Sequence, residues 1–218
     1  MKQIVIIGAG GFGREVQWLI ERINEKELTW EIKGYIDDGI DAGTEINGYP
    51  VLGGINELLE MQQEIAVVCA IGSSVTRKKI IERISSNPNI EFPNIVDPSV
   101  QMSKYVKFGK GNIICAGTIL TVNIDIKDFS ILNLDCTVGH DVVLNSFVTV
   151  YPSVNISGCV MIGKHTEIGT GTQIIQGKNI CDYTIVGAGS VVVRNIERPG
   201  TYVGVPVKAV KYMNGVEK

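Results

Sequence analysis

Every sixth residue from Val96 to Val192 is apolar. A helix places apolar residues three or four apart and a half-buried strand places them two apart, so a sustained period of six indicates another geometry. The hexapeptide parallel β-helix has this period, because each six-residue rung forms one flat face of a prism. The phased residues, predicted to point inward, are Val96, Met102, Phe108, Ile114, Leu120, Ile126, Leu132, Val138, Leu144, Val150, Ile156, Ile162, Ile168, Ile174, Ile180, Val186 and Val192.

A second set of smaller residues follows the phased ones by four positions and is also predicted to face inward. Three rungs make a coil of about 18 residues, so the stretch is expected to form about five to six coils. Neighbouring coils lie one strand spacing, about 4.8 Å, apart, and their stacking buries a core that no single coil has. The second set comprises Thr118, Ile124, Ser130, Cys136, Val142, Val148, Val154, Val160, Thr166, Thr172, Thr184 and Ser190.

The chain begins with an apolar strand pattern, residues 4–7, followed by a glycine turn and then by apolar residues at helical spacing. The turn carries glycines at positions 8, 10 and 13, which fits G-x-G-x-x-G. Between a strand and a helix, such a turn lets backbone N–H groups and the helix N-terminus approach a phosphate. The alternative is that the glycines serve only a tight turn.

Two more strand patterns, residues 32–36 and 65–70, alternate with helical ones, which predicts a small parallel sheet. Asp37 and Asp38 follow the first of these strands and are placed to reach a ribose hydroxyl, while Gly72 follows the second. Ligands bind at the carboxyl ends of such strands. The unit is long enough for one mononucleotide-binding half of a dinucleotide-binding fold. A nucleotide-linked substrate therefore fits it better than NAD does.

Composition narrows the class of protein. The net charge is −3 and the basic residues are scattered, which argues against nucleic acid as a partner. Neither a membrane span nor a secretory signal is found, so a cytoplasmic protein is expected. The 5 cysteines form no C-x-x-C pair, so neither disulfides nor a metal site is expected. Two domains are predicted, 1–93 and 94–218, the second ending in a cap or arm.

The chain has 2 histidines, His140 and His165. His140 occupies an outward position near a predicted corner and is followed by Asp141. Histidine can exchange a proton near neutral pH, and a neighbouring carboxylate stabilises the imidazolium. His140 and Asp141 therefore form a candidate general-base pair, although a solvated surface histidine is the alternative. His165 has no such partner pattern and is predicted to be a solvated corner residue.

Small residues at later corners, among them Gly158, Thr170 and Ala188, would leave backbone groups open to a long, thin ligand along the prism. Tight corners alone would also favour glycine. In the C-terminal segment, Lys208 and Lys211 are predicted to meet phosphates.

Five short segments occur together in an order and spacing that resembles the bacterial sugar acyltransferases. This family includes acetyl-CoA-dependent N-acetyltransferases of UDP-linked 4-amino-6-deoxy sugars and sialic acid O-acetyltransferases. The resemblance covers nearly the whole chain, and the combination is more specific than any single piece. The segments are Gly8-Ala9-Gly10-Gly11-Phe12-Gly13, Tyr35-Ile36-Asp37-Asp38, Ala70-Ile71-Gly72, Val138-Gly139-His140-Asp141 and Val203-Gly204-Val205-Pro206-Val207-Lys208.

The resemblance implies an α/β Rossmann-like half domain followed by an all-β left-handed parallel β-helix, and a homotrimer with active sites between neighbouring prisms. It implies acetyl-CoA as co-substrate, His140 as base and Asp141 as its partner. Nucleotide-sugar contacts would fall on Gly10, Gly11, Phe12, Asp37, Asp38 and Gly72, and coenzyme contacts on Thr149, Gly158, Thr170, Ala188 and Lys208.

The chain departs from this family in two places. The amino-sugar enzymes of the family can carry Ser-Gly-His in the glycine loop and a second histidine nine residues after the base. This chain has Gly10-Gly11-Phe12 and Thr149 at those places. These changes leave the general-base mechanism intact. They mean that the resemblance does not define the acceptor sugar or the coenzyme contact at these positions.

The expected function is acetyl transfer to the amine of a UDP- or dTDP-linked 4-amino-6-deoxy sugar in bacterial surface-glycan synthesis. O-acetylation of a sialic acid uses the same base and fold and is the nearest alternative. A zinc hydratase on the same prism fits poorly, because it needs about three protein ligands for each metal. A non-catalytic nucleotide-binding scaffold is the remaining class.

Overall fold

The computed structural model describes residues 1–213 and divides after Pro98 into two units, Met1–Pro98 and Ser99–Lys218. The boundary predicted from the sequence, between residues 93 and 94, falls shortly before this division. The elements of the first unit are β1 (Lys2–Ile7), α1 (Gly11–Lys26), β2 (Trp30–Ile36), β3 (Glu45–Ile46), β4 (Tyr49–Gly53), α2 (Asn56–Leu59), β5 (Ile65–Cys69), α3 (Ser74–Ile84), β6 (Ile90–Glu91) and β7 (Ile95–Val96).

The first unit is built on one sheet with the strand order β3-β4-β2-β1-β5-β6. The pairs are parallel except for the hairpin of β3 and β4. Strands β1 and β5 are apolar along nearly their whole length because they lie in the middle of the sheet, where both faces are covered. The predicted Rossmann-like α/β half domain is confirmed.

Helix α1 packs on the sheet through Val16, Leu19 and Ile20, which recur at helical spacing and are buried. Its last turns carry Arg22, whose Nε and Nη2 donate to the two carboxylate oxygens of Asp97 at 2.7 and 3.1 Å. Asp97 is 2% exposed, and a carboxylate this deeply buried has to be paired. The ion pair therefore ties α1 to the segment that follows β7.

The second unit is a parallel β-helix with three faces, as predicted, and it matches the left-handed form. Each strand pairs with the strand one coil further on, as when Leu132 pairs with Val150 and Val150 with Ile168. Face 1 contains β10 (Ile113–Ile114), β13 (Ile131–Leu132), β16 (Thr149–Val150), β19 (Glu167–Ile168) and β22 (Thr184–Val186). Face 2 contains β8 (Gln101–Met102), β11 (Ile119–Leu120), β14 (Thr137–Val138), β17 (Asn155–Ile156), β20 (Gln173–Ile174) and β23 (Val191–Val192).

Face 3 contains β9 (Lys107–Phe108), β12 (Asp125–Ile126), β15 (Val143–Leu144), β18 (Met161–Ile162) and β21 (Asn179–Ile180). At the C-terminal end, β24 (Gly200–Val203) continues face 1 and pairs with β25 (Lys208–Tyr212) in an antiparallel hairpin. This hairpin is the predicted cap or arm.

Both predicted inward sets form the core of the prism. From Ile114 onward, each phased residue is at most 2% exposed, and each residue of the second set is at most 1% exposed. The exceptions come before Ile114. Val96 is half-buried, and in the first coil Met102 is 50% exposed and Phe108 is half-buried. The strands of Met102 and Phe108 pair on one side only within the prism, so their side chains are covered from one direction.

The corners of the prism repeat a left-handed backbone conformation at every sixth residue. Their φ angles lie between 54° and 78°, a region that glycine and asparagine enter more easily than other residues. The corner residues with positive φ are Gly111, Gly117, Asn123, Phe129, Asp135, Asp141, Phe147, Ser153, Cys159, His165, Gly171, Gly177, Tyr183 and Gly189. Aromatic residues therefore occupy corners that local preference alone would not give them.

One corner carries a stack of rings that includes His165. The His165 ring lies 5.2 Å from the Phe147 ring and 4.7 Å from the Tyr183 ring, and the residue is 6% exposed. The prediction that His165 is a solvated corner residue is wrong, because the coils on either side each supply a ring that covers it. His165 is thus part of the packing of this corner.

The inward residues are expected to carry the stability of the prism. Ile174→Ala removes a side chain that is 1% exposed and should lower the free energy of unfolding by about 2–5 kcal/mol. Gln173→Ala, on the exposed side of the same strand, is the matched control and should change it by about 0.5 kcal/mol or less. Urea unfolding followed by circular dichroism measures both. Equal losses for the two variants would contradict an inward Ile174.

Candidate active site

His140 and Asp141 lie at the turn that follows β14, and their side chains meet. His140 Nδ1 is 2.8 Å from Asp141 Oδ2, and about half of each side chain is exposed. Adjacent residues of an extended strand point to opposite sides. Here Asp141 has φ 58°, and this left-handed corner brings both side chains to the same edge of the prism. The two residues of the predicted general-base pair are therefore in hydrogen-bond contact.

A third residue, Asn123, joins this pair from the coil before. Its Nδ2 donates to Asp141 Oδ1 at 3.1 Å. The hydrogen bond from His140, and after it the one from Asn123, lower the pKa of Asp141 below its usual value. Asp141 is thus ionised at neutral pH and accepts a hydrogen bond from the Nδ1–H of His140. This leaves Nε2 of His140 as the atom that can take a proton from a substrate.

The ring of His140 lies directly against Gly158, one coil further on. A Cβ at position 158 would come within 2.5 Å of both Nε2 and Cε1 of His140, so only glycine leaves room for the ring. Gly139 is constrained in the same way, because its Cβ would lie 2.7 Å from Gly158 N. Within residues 1–213, the Gly158 N–H donates to no other group. Gly158 itself is buried beside the base.

Cys159 completes this corner. Its Sγ is 4.0 Å from His140 Nδ1, and the residue is exposed. Asn123 and Cys159 were both missed by the sequence reasoning. The signal that could have found them is the coil period, because Asn123, Asp141 and Cys159 occupy equivalent positions in three successive coils.

The predicted coenzyme residues fall at different places on the prism. Thr170 and Ala188 are exposed and lie one coil apart, at the corner that leads into face 2, whereas His140 and Gly158 lie where the chain leaves face 2. Thr149 lies on face 1 in β16 and is 1% exposed. The Thr149 side chain is therefore covered in the free chain, and its coenzyme contact stays a prediction.

Lys208 borders a small cationic cleft near the C-terminal end of the prism. The cleft has a volume of about 200 Å³ and is lined by Val193, Arg194, Pro206, Val207 and Lys208. Arg194 was not predicted, although it occupies the His140 position three coil lengths further along the sequence. Both cationic side chains are exposed, so the cleft can accept an anion such as a phosphate.

In the first unit, Asp37 organises the predicted glycine loop. Its Oδ2 accepts a hydrogen bond from Ala9 N at 2.8 Å, and its Oδ1 accepts one from Gly39 N at 2.9 Å. Asp38 accepts one from Ile55 N at 2.8 Å. A carboxylate has about four acceptor sites, so both can still accept a hydrogen bond from a ligand.

The glycines of the loop have separate physical roles. A Cβ at Gly13 would lie 1.9 Å from the carbonyl oxygen of Gly8, so Gly13 permits the close approach of α1 to β1. Gly10 and Gly11 are exposed, and a Cβ at either position would meet nothing within 4 Å. Phe12 is half-buried. The loop therefore presents open backbone at the start of α1.

A cleft of about 190 Å³ opens at the carboxyl ends of β1 and β2, as predicted for a parallel sheet. Gly72 does not line it. The carbonyl oxygen of Gly72 accepts a hydrogen bond from the buried Arg77 at 3.0 Å, which fixes the turn before α3. The lining residues are Ile7, Gly8, Ile36, Asp37, Asp38, Gly39, Ile55, Ile71 and Ile80.

Residues 3–84 match the PglD N-terminal domain family. Over 172 residues, 79% of this chain and 77% of the relative, the chain is 27% identical to GDP-perosamine N-acetyltransferase of Escherichia coli O157:H7. The solved structure of WeeI from Acinetobacter baumannii AYE is 32% identical, with 96% of this chain and 100% of that chain covered and a TM-score of 0.87. The chain belongs to the bacterial sugar acyltransferase family.

A second member of this sugar acyltransferase family has been solved with ligands. PerB from Caulobacter crescentus, in complex with CoA and GDP-perosamine, is 29% identical, with 96% of this chain and 97% of that chain covered and a TM-score of 0.86. The present protein is therefore an acyltransferase. Within residues 1–213, none of the helices has the length and apolar character needed to cross a membrane.

Proposed function

We propose that this acyltransferase moves an acetyl group from acetyl-CoA to the amine of a nucleotide-linked amino sugar, with His140 as general base. The observation that carries the proposal is the exposed His140–Asp141 pair, whose Nδ1–Oδ2 distance is 2.8 Å. The family members that act on or bind GDP-perosamine support an amino sugar as acceptor. The CoA complex of PerB supports the coenzyme.

The chemistry follows from which nitrogen of His140 is free. The neutral amine of the acceptor attacks the thioester carbonyl, and Nε2 takes the proton that the amine loses as the C–N bond forms. Asp141, kept ionised by its hydrogen bonds, stabilises the imidazolium. The Gly158 N–H can stabilise the oxyanion of the tetrahedral intermediate. When the C–S bond breaks, the proton passes to the thiolate and CoA leaves as the free thiol.

The coenzyme is proposed to lie along the corner that begins at His140. Gly158, Gln176 and Arg194 follow at intervals of one coil, so three coil spacings separate the level of the base from that of Arg194, about 14 Å at 4.8 Å per coil. An extended pantetheine arm fits a path of this kind. Its phosphates would then meet Arg194 and Lys208 in the cleft of about 200 Å³.

The two cations of this cleft give a testable expectation. Arg194→Ala and Lys208→Ala should each raise the KM for acetyl-CoA by about 10-fold, since a hydrogen bond to a charged group contributes about 1.5–3 kcal/mol when well formed. The kcat should change little, because neither residue touches the reacting carbonyl. Steady-state rates at varied acetyl-CoA measure this, and added salt should weaken wild-type binding more than variant binding. A lowered kcat at unchanged KM would contradict this placement.

A homotrimer remains part of the proposal. His140 and Gly158 lie at one end of face 2, and Thr170 and Ala188 lie at the other. A coenzyme bound between two prisms would meet the first pair on one copy and the second pair on the next copy. Light scattering coupled to gel filtration should then give three times the chain mass of 23.7 kDa.

The nucleotide is proposed to bind in the first unit, at the glycine loop and the cleft beside Asp37 and Asp38. A volume of about 190 Å³ is below the usual range of about 300–1,000 Å³ for a ligand pocket, so this cleft would hold one part of the nucleotide. Its aliphatic lining suits a base, and the carboxylates suit N–H or hydroxyl donors. Gly10 and Gly11 offer backbone N–H groups to the phosphates.

The decisive test is product formation from acetyl-CoA with a panel of acceptors. The panel contains GDP-, UDP- and dTDP-linked 4-amino sugars, CMP-sialic acid and free sialic acid. We expect acetylation of an amino sugar, and the preferred nucleotide will identify the class of acceptor. Turnover on sialic acid alone would assign the same base to a hydroxyl acceptor, and the N-acetyl proposal would be wrong. The cytoplasmic location expected from the sequence stays a prediction.

A further inference from the structure

We propose that His140, Asp141 and Cys159 form a zinc-binding site through which the metal inhibits the enzyme. One ligand atom from each residue lies within 4.8 Å of the other two, and all three residues are exposed. The residues belong to two successive coils, so no C-x-x-C or H-x-x-H spacing reveals them in the sequence. A nitrogen, a carboxylate oxygen and a thiolate sulfur are the donors that zinc takes in proteins.

The distances are close to what a tetrahedral zinc ion needs. Zinc bonds of about 2.0–2.3 Å place neighbouring ligand atoms about 3.3–3.6 Å apart. His140 Nδ1 is 2.8 Å from Asp141 Oδ2 and 4.0 Å from Cys159 Sγ. These two distances each have to change by about half an ångström, and the Asp141 and Cys159 ligand atoms, which lie within 4.8 Å of each other, have to approach further. All three side chains are exposed and can rotate. Water would supply the fourth ligand.

A covalent role for Cys159 is less well supported by the same distances. In a nucleophile–base–acid arrangement, the nucleophile uses one ring nitrogen and the acid uses the other. Here the thiol and the carboxylate both face Nδ1 of His140. Cys159 is therefore not placed to pass its proton to Nε2, whereas three groups that converge on one point are placed to bind a cation.

Inhibition follows from the chemistry of the ring and rests on the proposed role of His140 as base. When the Nδ1 lone pair is donated to zinc, the one proton of the neutral imidazole must sit on Nε2. That nitrogen then has no lone pair to accept a proton from the acceptor amine. The thiol of Cys159 releases its proton to solvent as the sulfur binds the metal.

Metal binding is tested without reference to turnover. The full chain, freed of metal by a chelator, is titrated with Co²⁺ as a spectroscopic substitute for zinc, and the thiolate-to-cobalt absorption band is followed. We expect the band in the wild type and in Cys181→Ser, which removes a half-buried thiol elsewhere on the prism. We expect no band in Cys159→Ser. A wild type without the band, or a band that survives in Cys159→Ser, would overturn the site.

Inhibition is then measured as the zinc concentration that halves product formation, with each variant referred to its own metal-free rate. Loss of a residue that only supports a metal ligand already lowers metal affinity by about 10- to 100-fold. Cys159 is a ligand itself, so in Cys159→Ser the zinc concentration for half inhibition should rise by at least this factor. Mg²⁺ at the same concentrations should have no effect, because it does not favour thiolate ligands. If cobalt binds through Cys159 while zinc leaves turnover unchanged, the inhibitory role is wrong. If the protein shows no acetyl transfer at all, the cobalt band still decides the metal site.

Discussion

His140→Asn is expected to lower kcat by about 10²- to 10⁴-fold while the prism stays folded, since this is the usual contribution of a general base. Asparagine is close in size to the part of the imidazole that meets Asp141, so the corner keeps a hydrogen-bonding side chain. It has no group that accepts a proton near neutral pH. Initial rates at saturating acetyl-CoA and acceptor measure the effect, and thermal unfolding by circular dichroism verifies the fold.

The matched control for this variant is His165→Asn. His165 is the second histidine of the chain, but it is buried between Phe147 and Tyr183 and makes up part of a ring stack. Its replacement should lower the unfolding temperature and leave kcat within a few-fold of the wild type. Near wild-type turnover in His140→Asn would reject His140 as the base. A large loss of kcat in His165→Asn at unchanged stability would mean that the wrong histidine has been assigned.

Gly158→Ala is expected to lower kcat by about 10- to 100-fold through displacement of the His140 ring. The new Cβ would lie 2.5 Å from Nε2 and Cε1, and the backbone here cannot retreat easily. It is held by the bonds from Gly177 N to Gly158 O at 2.9 Å and from Cys159 N to His140 O at 2.8 Å. The ring must therefore move, and a misplacement of about 1 Å can cost about 10²-fold in rate.

Gly177→Ala serves as the comparison for Gly158→Ala. A Cβ at Gly177 would meet nothing within 4 Å, although its φ of 70° makes alanine somewhat strained. The variant should lose about 1–2 kcal/mol of stability and keep its kcat. Rates and melting temperatures of the two variants separate a shifted base from a strained corner. Equal kcat values for both would show that the ring of His140 does not depend on the space at Gly158.

The fold was predictable because each physical requirement recurs many times. A prism core needs an aliphatic residue at every sixth position, and the chain meets this requirement without interruption from Val96 to Val192. Similarly, the strand–glycine–helix pattern from residue 4 onward admits few alternatives. His140 and Asp141 could be singled out as a general base and its carboxylate partner because they are adjacent in the sequence and lie at an outward-facing position.

The rest of the site depends on contacts between coils, which a six-residue period does not reveal. Asn123 and Cys159 reach Asp141 and His140 only because equivalent positions stack. The small size of Gly158 suggested open backbone for a coenzyme, but its first constraint is the ring of His140. His165 was misread because histidine in an outward slot is usually solvated, whereas rings from two other coils cover this one.

The stacked corner from His140 to Arg194 also fixes the distance between the base and the cationic cleft. Among related chains this distance can differ only by multiples of one coil spacing, about 4.8 Å. A coil is the smallest unit that can be added without disturbing the stack. An insertion of one residue within a rung would turn the inward side chains of that rung outward, so length variation is expected in loops at the corners. A relative that accepts a longer or shorter acyl carrier should differ from this chain by about 18 residues, or a multiple of that, between the two positions.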